Sequence, residues 1–245
     1  MSGHTQIAVI GGGLVGKAAA VASARAGFET LHVAPAAPAD RRTSALMAPA
    51  VDYMKGAGLL GDASAIGVPL KRIRIIDATD RFFRAPETVF DAREVGGDSF
   101  GWNFPNIELN AQFAAAAEGI AALTARQAAL TTATRRDGVW ELSLDDGTTL
   151  TCDLLVGADG KGSKVRLCAG ISVHERKYDQ AALVCDLELE RGLDGESVEF
   201  HYPDGPFTLV PAGGKRANLV WIDKREKLEA ARADAETFAQ ELSGK

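Results

Sequence analysis

The apolar pattern at the start of the chain switches from a strand period to a helix period and back. A short unbroken apolar run, QIAVI (6–10), reads as a strand buried on both faces. The Ala-rich stretch KAAAVASARAGF (17–28) has helical character, with Gly27 suited to its C-terminal cap, and ETLHVA (29–34) is the next strand. The first 34 residues therefore predict a βαβ unit. APAAPADRRTSALMAPA (34–50) reads as a loop passing into a short helix. KRIRIID (71–77) alternates like a half-exposed strand, with RFFRAP (81–86) as its expected partner. NIELNAQFAAAAEGIAAL (106–123) predicts a helix carrying Leu109, Phe113, Ala116, Ile120 and Leu123 on one face.

Three β runs follow: ARQAALTTATRR, VWELSL and TTLTCDLLVGA. Asp137-Gly138 and Asp146-Gly147 separate them, so they predict a meander. Beyond Gly170, AALVCDLELE, ESVEFHYP, FTLVPA and ANLVWID read as antiparallel strands. The final segment spaces Leu228, Ala231, Ala235, Phe238 and Leu242 as an amphipathic helix, expected to lie on its own sheet.

Composition narrows the class. The chain has 245 residues, 46% hydrophobic and 24% charged, enough for one large domain or two small ones. A net charge of -6 argues against nucleic acid as a partner and gives no general attraction to an anionic membrane. Cys152, Cys168 and Cys185 are scattered, which fits reduced thiols in a cytoplasmic protein rather than a disulfide framework. His4, His32, His174 and His201 do not cluster, so no metal site is expected. The N-terminus has no basic region before its first strand, so no signal peptide is expected.

Gly11-Gly12-Gly13-Leu14-Val15-Gly16 fits G-x-G-x-x-G between the first strand and the first helix. Gly11 permits the turn, Gly13 lets a pyrophosphate approach the backbone, and Gly16 lets the helix pack close. The helix N-terminus then offers N–H groups to phosphates. The acidic residue that usually ends the second strand and holds the adenosine ribose is missing, because that place falls near Ala34. Glu29 comes too early, and Asp40 lies in the following loop. Adenosine binding is left to backbone groups or to Arg41-Arg42-Thr43, and a 2′-phosphate could pair with Arg41 or Arg42.

CDLLVGADGKGSKVR (152–166) ends a strand on Asp159-Gly160. That carboxylate could accept backbone N–H groups and fix the turn, or bond a ribityl or ribose hydroxyl. Ser163 can cap the next helix, and Arg166 can pair with a carboxylate or a phosphate. An ordinary Asp-Gly turn before a capped helix would read the same way.

GADGKGSKVR nevertheless resembles the D-G-x-x-S-x-x-R signature of class A FAD-dependent aromatic monooxygenases, the para-hydroxybenzoate-hydroxylase-like flavoproteins. DRRTSAL, FGWNFPNIEL and FHYPDGPFTLVPAGGKRANLVW are similar to elements of their ubiquinone-biosynthesis hydroxylase branch (UbiH/UbiF-like). The resemblance implies an α/β fold: a glutathione-reductase-like FAD-binding Rossmann domain interrupted by a mainly antiparallel β substrate domain. Residues 1–70 and 100–172 would form the first, 71–99 and 173–223 the second, with a helix at 224–245. Gly11, Gly13, Leu14, Val15 and Gly16 would line the FAD pyrophosphate, Arg42 would reach the cofactor, and Leu130 would offer backbone to the adenine. Asp159 and Gly160 would sit near the pyrophosphate and ribityl chain, and Pro203, Gly205 and Pro206 would shape the pocket wall.

The implied chemistry is reduction of FAD by NAD(P)H, capture of O₂ and transfer of one oxygen atom to a phenolic quinone precursor. The cofactor carries the reaction, so no catalytic side chain is assigned. A polyprenyl substrate would imply peripheral contact with the inner membrane, and a homodimer is compatible. Two family elements are missing: an Arg before the long helix, where Asn106-Ile107-Glu108 stands, and the third FAD motif, a late Gly-Asp element. The resemblance therefore leads one to expect a C-terminally truncated chain that alone binds flavin weakly and is inactive. The alternatives are a non-catalytic binding module that keeps the FAD fold and an NADP-linked reductase.

Overall fold

The computed structural model describes residues 3–234 together with Phe238, Ala239 and Leu242. In chain order the elements are β1 (Gly3–Ile10), α1 (Leu14–Arg25), β2 (Thr30–Val33), β3 (Thr43–Met47), α2 (Ala48–Gly56), β4 (Val68–Leu70), β5 (Arg72–Asp77), β6 (Thr88–Asp91), β7 (Gly101–Pro105) and α3 (Asn106–Ala117). They continue with β8 (Leu123–Arg126), β9 (Leu130–Arg136), β10 (Val139–Leu144), β11 (Thr149–Gly157), α4 (Lys164–Cys168), β12 (Gln180–Glu188), β13 (Glu196–Tyr202), β14 (Gly205–Pro211), β15 (Arg216–Lys224) and α5 (Arg225–Ala233). They divide into two units. The first is Met1–Arg41, Ala50–Asp62 and Pro105–His174; the second is Arg42–Pro49, Ala63–Phe104 and Glu175–Lys245.

The first unit contains a six-stranded sheet in the order β8-β2-β1-β11-β10-β9. β1 pairs in parallel with β2 and β11, while β9, β10 and β11 form the expected antiparallel meander. The first hairpin turns at Asp137 (φ 49°) and Gly138 (φ 86°), the left-handed pair that a two-residue turn requires. The segment read as one strand, ARQAALTTATRR, is two. Its first part belongs to β8 at one edge, and its second is β9 at the other. Five strand spacings span about 24 Å, whereas the chain from Arg126 to Leu130 reaches at most about 14 Å. The meander must therefore fold back over the parallel strands. The core agrees: Ala8, Ile10 and Val33 cluster with Ala133, Leu142, Leu144 and Leu150.

The long helix is shorter than its pattern suggests. α3 stops at Ala117, because Glu118 is already extended and Gly119 is left-handed at φ 74°. Leu109 and Phe113 are buried as expected, but Leu123 belongs to β8 instead of the helix face.

The second unit has a six-stranded sheet, β12-β15-β14-β13-β5-β6, and a three-stranded sheet, β3-β7-β4. β3 was not anticipated in the loop reading of residues 34–50. RFFRAP is no strand: β5 pairs instead with β6, and 81–86 belongs to the connection between them. β12 alternates along its length, turning Ala181, Leu183, Cys185 and Leu187 toward the core that contains Phe207, Leu219, Trp221 and the α5 residues Leu228 and Ala231. The final helix thus covers its own sheet, as its spacing predicted. α5 ends before Asp234, Phe238 and Leu242 pack on the same core, and Ala235 lies outside the described residues.

Candidate functional site

In the first unit the C-terminal ends of two parallel neighbours, β1 and β11, carry the two motifs, in register at Ile10 and Gly157. Ligands bind at this end of such sheets. Gly11 has φ 132°, a conformation open to glycine, and a Cβ there would overlap the Ala158 carbonyl. A Cβ on Gly16 would overlap the Gly11 carbonyl, so this glycine seats α1 on the loop. Gly13 differs from both. It has φ -74°, is exposed, and a Cβ on it would meet no atom within 4 Å. It forms the N-cap of α1, no side chain caps that helix, and no acid occupies its first turn.

A cleft of about 550 Å³ opens beside this loop. Its walls come from the loop and α1 (Gly12, Gly13, Leu14, Lys17), the ends of β2 and β8, the 34–40 segment and the first turns of α3. A chain of hydrogen bonds runs along it. Lys17 Nζ donates to Asn110 Oδ1 (2.8 Å), Asn110 Nδ2 donates to the Asn106 carbonyl (2.7 Å), and Asn106 Nδ2 donates to Asp40 Oδ2 (2.9 Å). Burial of the Lys17 ammonium lowers its pKa. His32 steadies the loop through a 2.8 Å bond between Nε2 and the Gly11 carbonyl.

Lys17 and Asp40 are residues that sequence reasoning missed or set aside. Asp40 was judged too far along the loop, yet residues 35–40 return it to the cleft rim. The available signal was Asn106 and Asn110, one helical turn apart at the start of α3. The cleft offers an ammonium beside an open glycine backbone, together with a carboxylate. Those groups suit a diphosphate and a diol, and the space at Gly13 fits the dinucleotide reading. Arg126 also lines the cleft, but its guanidinium is held by Asp146 and Thr148.

The Asp159 motif is built differently. Asp159 Oδ1 accepts from the Ser163 hydroxyl (2.5 Å), and Oδ2 accepts from the Lys164 N–H (2.6 Å) and the Val165 N–H (3.2 Å). Ser163 Oγ accepts from the Arg166 N–H (3.0 Å), and Arg166 Nη2 donates to the Lys161 carbonyl (2.8 Å). Gly160 supplies the left-handed residue at φ 84°. Burial works against the charge on Asp159, but the bonds from Ser163, Val165 and Lys164 outweigh it and hold the pKa below its ordinary value. The motif's polar side chains close a turn and cap α4.

Of the other residues singled out from sequence, Leu14 lines the cleft, whereas Val15 is exposed beside it. Leu130 does not line the cleft: its side chain is buried in the sheet core, and Arg126 and Gln127 take the lining position. Arg42 is also absent from the lining and opens the second unit. His201 is exposed and bonds Glu199 through Nε2 (2.7 Å). Gly205 opens β14 opposite Tyr202, at φ 150° and against the Ile222 carbonyl.

Known proteins resemble this chain along nearly all of its length. It is 31% identical over 234 residues to the 3-demethoxyubiquinol 3-hydroxylase of Escherichia coli (strain K12), covering 91% of this chain and 59% of that protein. It is 32% identical over 246 residues to ubiquinone hydroxylase UbiL of Rhodospirillum rubrum, covering 96% of this chain and 56% of that protein. The chain thus spans less than two thirds of these relatives. A crystal structure of a PqsL variant from P. aeruginosa shares the fold, with a TM-score of 0.84 at 22% identity, over 98% of this chain and 66% of that one. The family model described as FAD binding domain matches residues 4–244, and the chain belongs to that family.

Proposed function

We propose that this chain supplies the FAD-binding part of a protein that hydroxylates the aromatic ring of a ubiquinone precursor, using FAD, NAD(P)H and O₂. The observation that carries the reading is the cleft: an open glycine backbone, an uncapped helix N-terminus and a lysine converge beside the β1–α1 turn. The names of the relatives supply the substrate class.

In this reading Gly11 and Gly16 shape the loop, and Gly13 and Leu14 present backbone N–H groups to the pyrophosphate of FAD. Lys17 adds a charge-assisted contact to the same phosphates, taking the part of the arginine missing before α3. Asn110 holds the ammonium in place. Asp40, oriented by Asn106, accepts from the adenosine ribose hydroxyls in place of the missing acid near Ala34. Asp159 and Gly160 act on the cofactor through the turn they build, with Gly160 exposed. When bound, FAD supplies the redox chemistry and the activation of oxygen. A precursor carrying a polyprenyl chain would bring the protein to a membrane surface as a peripheral contact.

The test is aerobic incubation with FAD, NAD(P)H and a polyprenylated phenol of a protein carrying this chain at the length of its relatives, beside the 245-residue chain alone. The expected result is phenol-dependent NAD(P)H oxidation and a product one oxygen atom heavier, labelled from ¹⁸O₂, from the longer protein, and little or none from the 245 residues alone. NAD(P)H oxidation that no phenol stimulates, with no oxygenated product, would overturn the reading.

A further inference from the structure

We propose that the cleft between the β5–β6 connection and His201 binds a neutral hydroxyaromatic ring, whose hydroxyl donates to His201. This rests on the second unit alone and not on the hydroxylase reading.

Strand register gathers the residues. Glu199 and His201, two apart on β13, lie beside Ile75 and Asp77 of β5, and Ile75 lies beside Thr88 of β6. They share the sheet face turned away from the α5 core, which takes Phe200 and Tyr202 from β13. At the end of that face opens a cleft of about 350 Å³, a size suited to a single ring. Ile75, Pro86 and Phe90 give it apolar walls. Phe90 is 46% exposed and offers a surface on which a second ring can pack.

Glu199 fixes the histidine. His201 Nε2 stands 2.7 Å from Glu199 Oε1. A carboxylate only accepts, so Nε2 carries the proton and Nδ1 of the neutral imidazole is an acceptor. Nδ1 has no hydrogen-bond partner among the described residues. Its neighbours in the cleft are engaged. Asp77 Oδ1 accepts from the Thr79 N–H (3.0 Å) and hydroxyl (2.6 Å), and Oδ2 accepts from the Ala85 N–H (2.9 Å). The Thr88 hydroxyl donates to the Pro86 carbonyl (3.1 Å). Because Asp77 gathers both ends of the connection, little ordering is left for a ligand to impose.

Charge sets the ligand class. The Thr79 hydroxyl, with the Ala85 and Thr79 N–H groups, brings the Asp77 pKa down to about 2, so this carboxylate is charged at neutral pH. Arg81 offsets it from nearby, and Glu199 is taken by His201. An anion would meet two carboxylates, and a cation would meet Arg81. A neutral ring leaves both pairs undisturbed and gives its hydroxyl to Nδ1. Arg81, which makes no hydrogen bond with a described residue, can donate to a second oxygen on the ring.

The probe is 4-hydroxyacetophenone, titrated into the full chain without FAD or NAD(P)H and followed by saturation-transfer NMR. The expected Kd is about 1 mM. Its methyl ether, 4-methoxyacetophenone, should bind about tenfold more weakly, because it has no hydroxyl to donate. The anionic analogue 4-hydroxybenzoate should bind no better than the ether. His201→Phe should weaken the hydroxy probe about tenfold and leave the ether unchanged. Phe90→Ser should weaken both, and circular dichroism should be the same for both variants as for the wild type. A wild-type chain that binds neither ketone at about 10 mM would overturn the proposal. So would a preference for the hydroxy probe that survives His201→Phe, or binding of both ketones that Phe90→Ser leaves intact. Displacement of the probe by ADP would also overturn it, by placing the ring in the first unit's cleft. Failure of the hydroxylase assay would leave the result untouched, because no cofactor is present and no turnover is read.

Discussion

Two turns end neighbouring parallel strands in the first unit, and their chemistry is opposite. After β1 the chain enters α1 through Gly13, with no side-chain cap. After β11 it enters α4 through Asp159 and Ser163, which together accept from three backbone N–H groups: Lys164, Val165 and Arg166. Both turns carry recognisable motifs. The first leaves its backbone open toward a cleft, while the second satisfies itself. A ligand-binding motif and a scaffold motif can therefore be equally visible in sequence, and only the hydrogen-bond partners separate them.

Changes at the two turns should separate stability from cofactor binding. The largest effect is expected at Gly16, where any Cβ meets the Gly11 carbonyl. Gly16→Ala should cost about 3 kcal/mol, read as a melting temperature lower by roughly 6–12 °C, and should abolish FAD binding. Gly13→Ala should do the reverse. Its backbone suits alanine and its Cβ meets open space, so thermal melting should hold while FAD titration shows a Kd about tenfold higher or more. A Gly13→Ala protein that melts early would show that this glycine is structural.

Lys17→Met comes next. Losing one charge-assisted contact should raise the Kd for FAD about tenfold, with little change in melting. The salt dependence of FAD binding should flatten in the same variant, because one of the cationic contacts is gone.

Asp159→Asn sharpens the other side. Losing the charged cap should destabilise by about 1–2 kcal/mol, with a smaller effect on FAD affinity. The folded pKa of Asp159 lies below its ordinary value, so its contribution is present above the ordinary carboxylate range and is lost as pH falls through the folded pKa. A melting-versus-pH series should therefore show the wild-type advantage over Asp159→Asn shrinking toward acid. The smallest effect is expected from Arg166→Gln, which removes one exposed bond to the Lys161 carbonyl and should cost about 0.5 kcal/mol in denaturant melts.

The strands were largely legible because their signals are local. QIAVI, the Asp137-Gly138 turn and the alternation along β12 each fix an element without reference to the rest of the chain. The division of ARQAALTTATRR was not legible, since β8 and β9 carry similar β-forming residues and only the fold-back of the sheet parts them. β3 was hidden because TSALM pairs with β7, more than fifty residues later. The glycine loop could be read from spacing alone. Asp40 and Lys17 could not, because three hydrogen bonds through Asn106 and Asn110 bring them together across elements distant in sequence.

The most direct test of the cleft as the seat of the cofactor's adenosine diphosphate half is FAD titration of the wild-type, Gly13→Ala, Lys17→Met and Asp159→Asn proteins, repeated with ADP and with FMN as competitors. The expected result is FAD binding that ADP displaces and FMN does not, weakened at Gly13 and Lys17 and nearly unchanged at Asp159. FAD binding that ignores both ADP and the Gly13 and Lys17 changes, or that disappears only with Asp159→Asn in a still-folded protein, would contradict it.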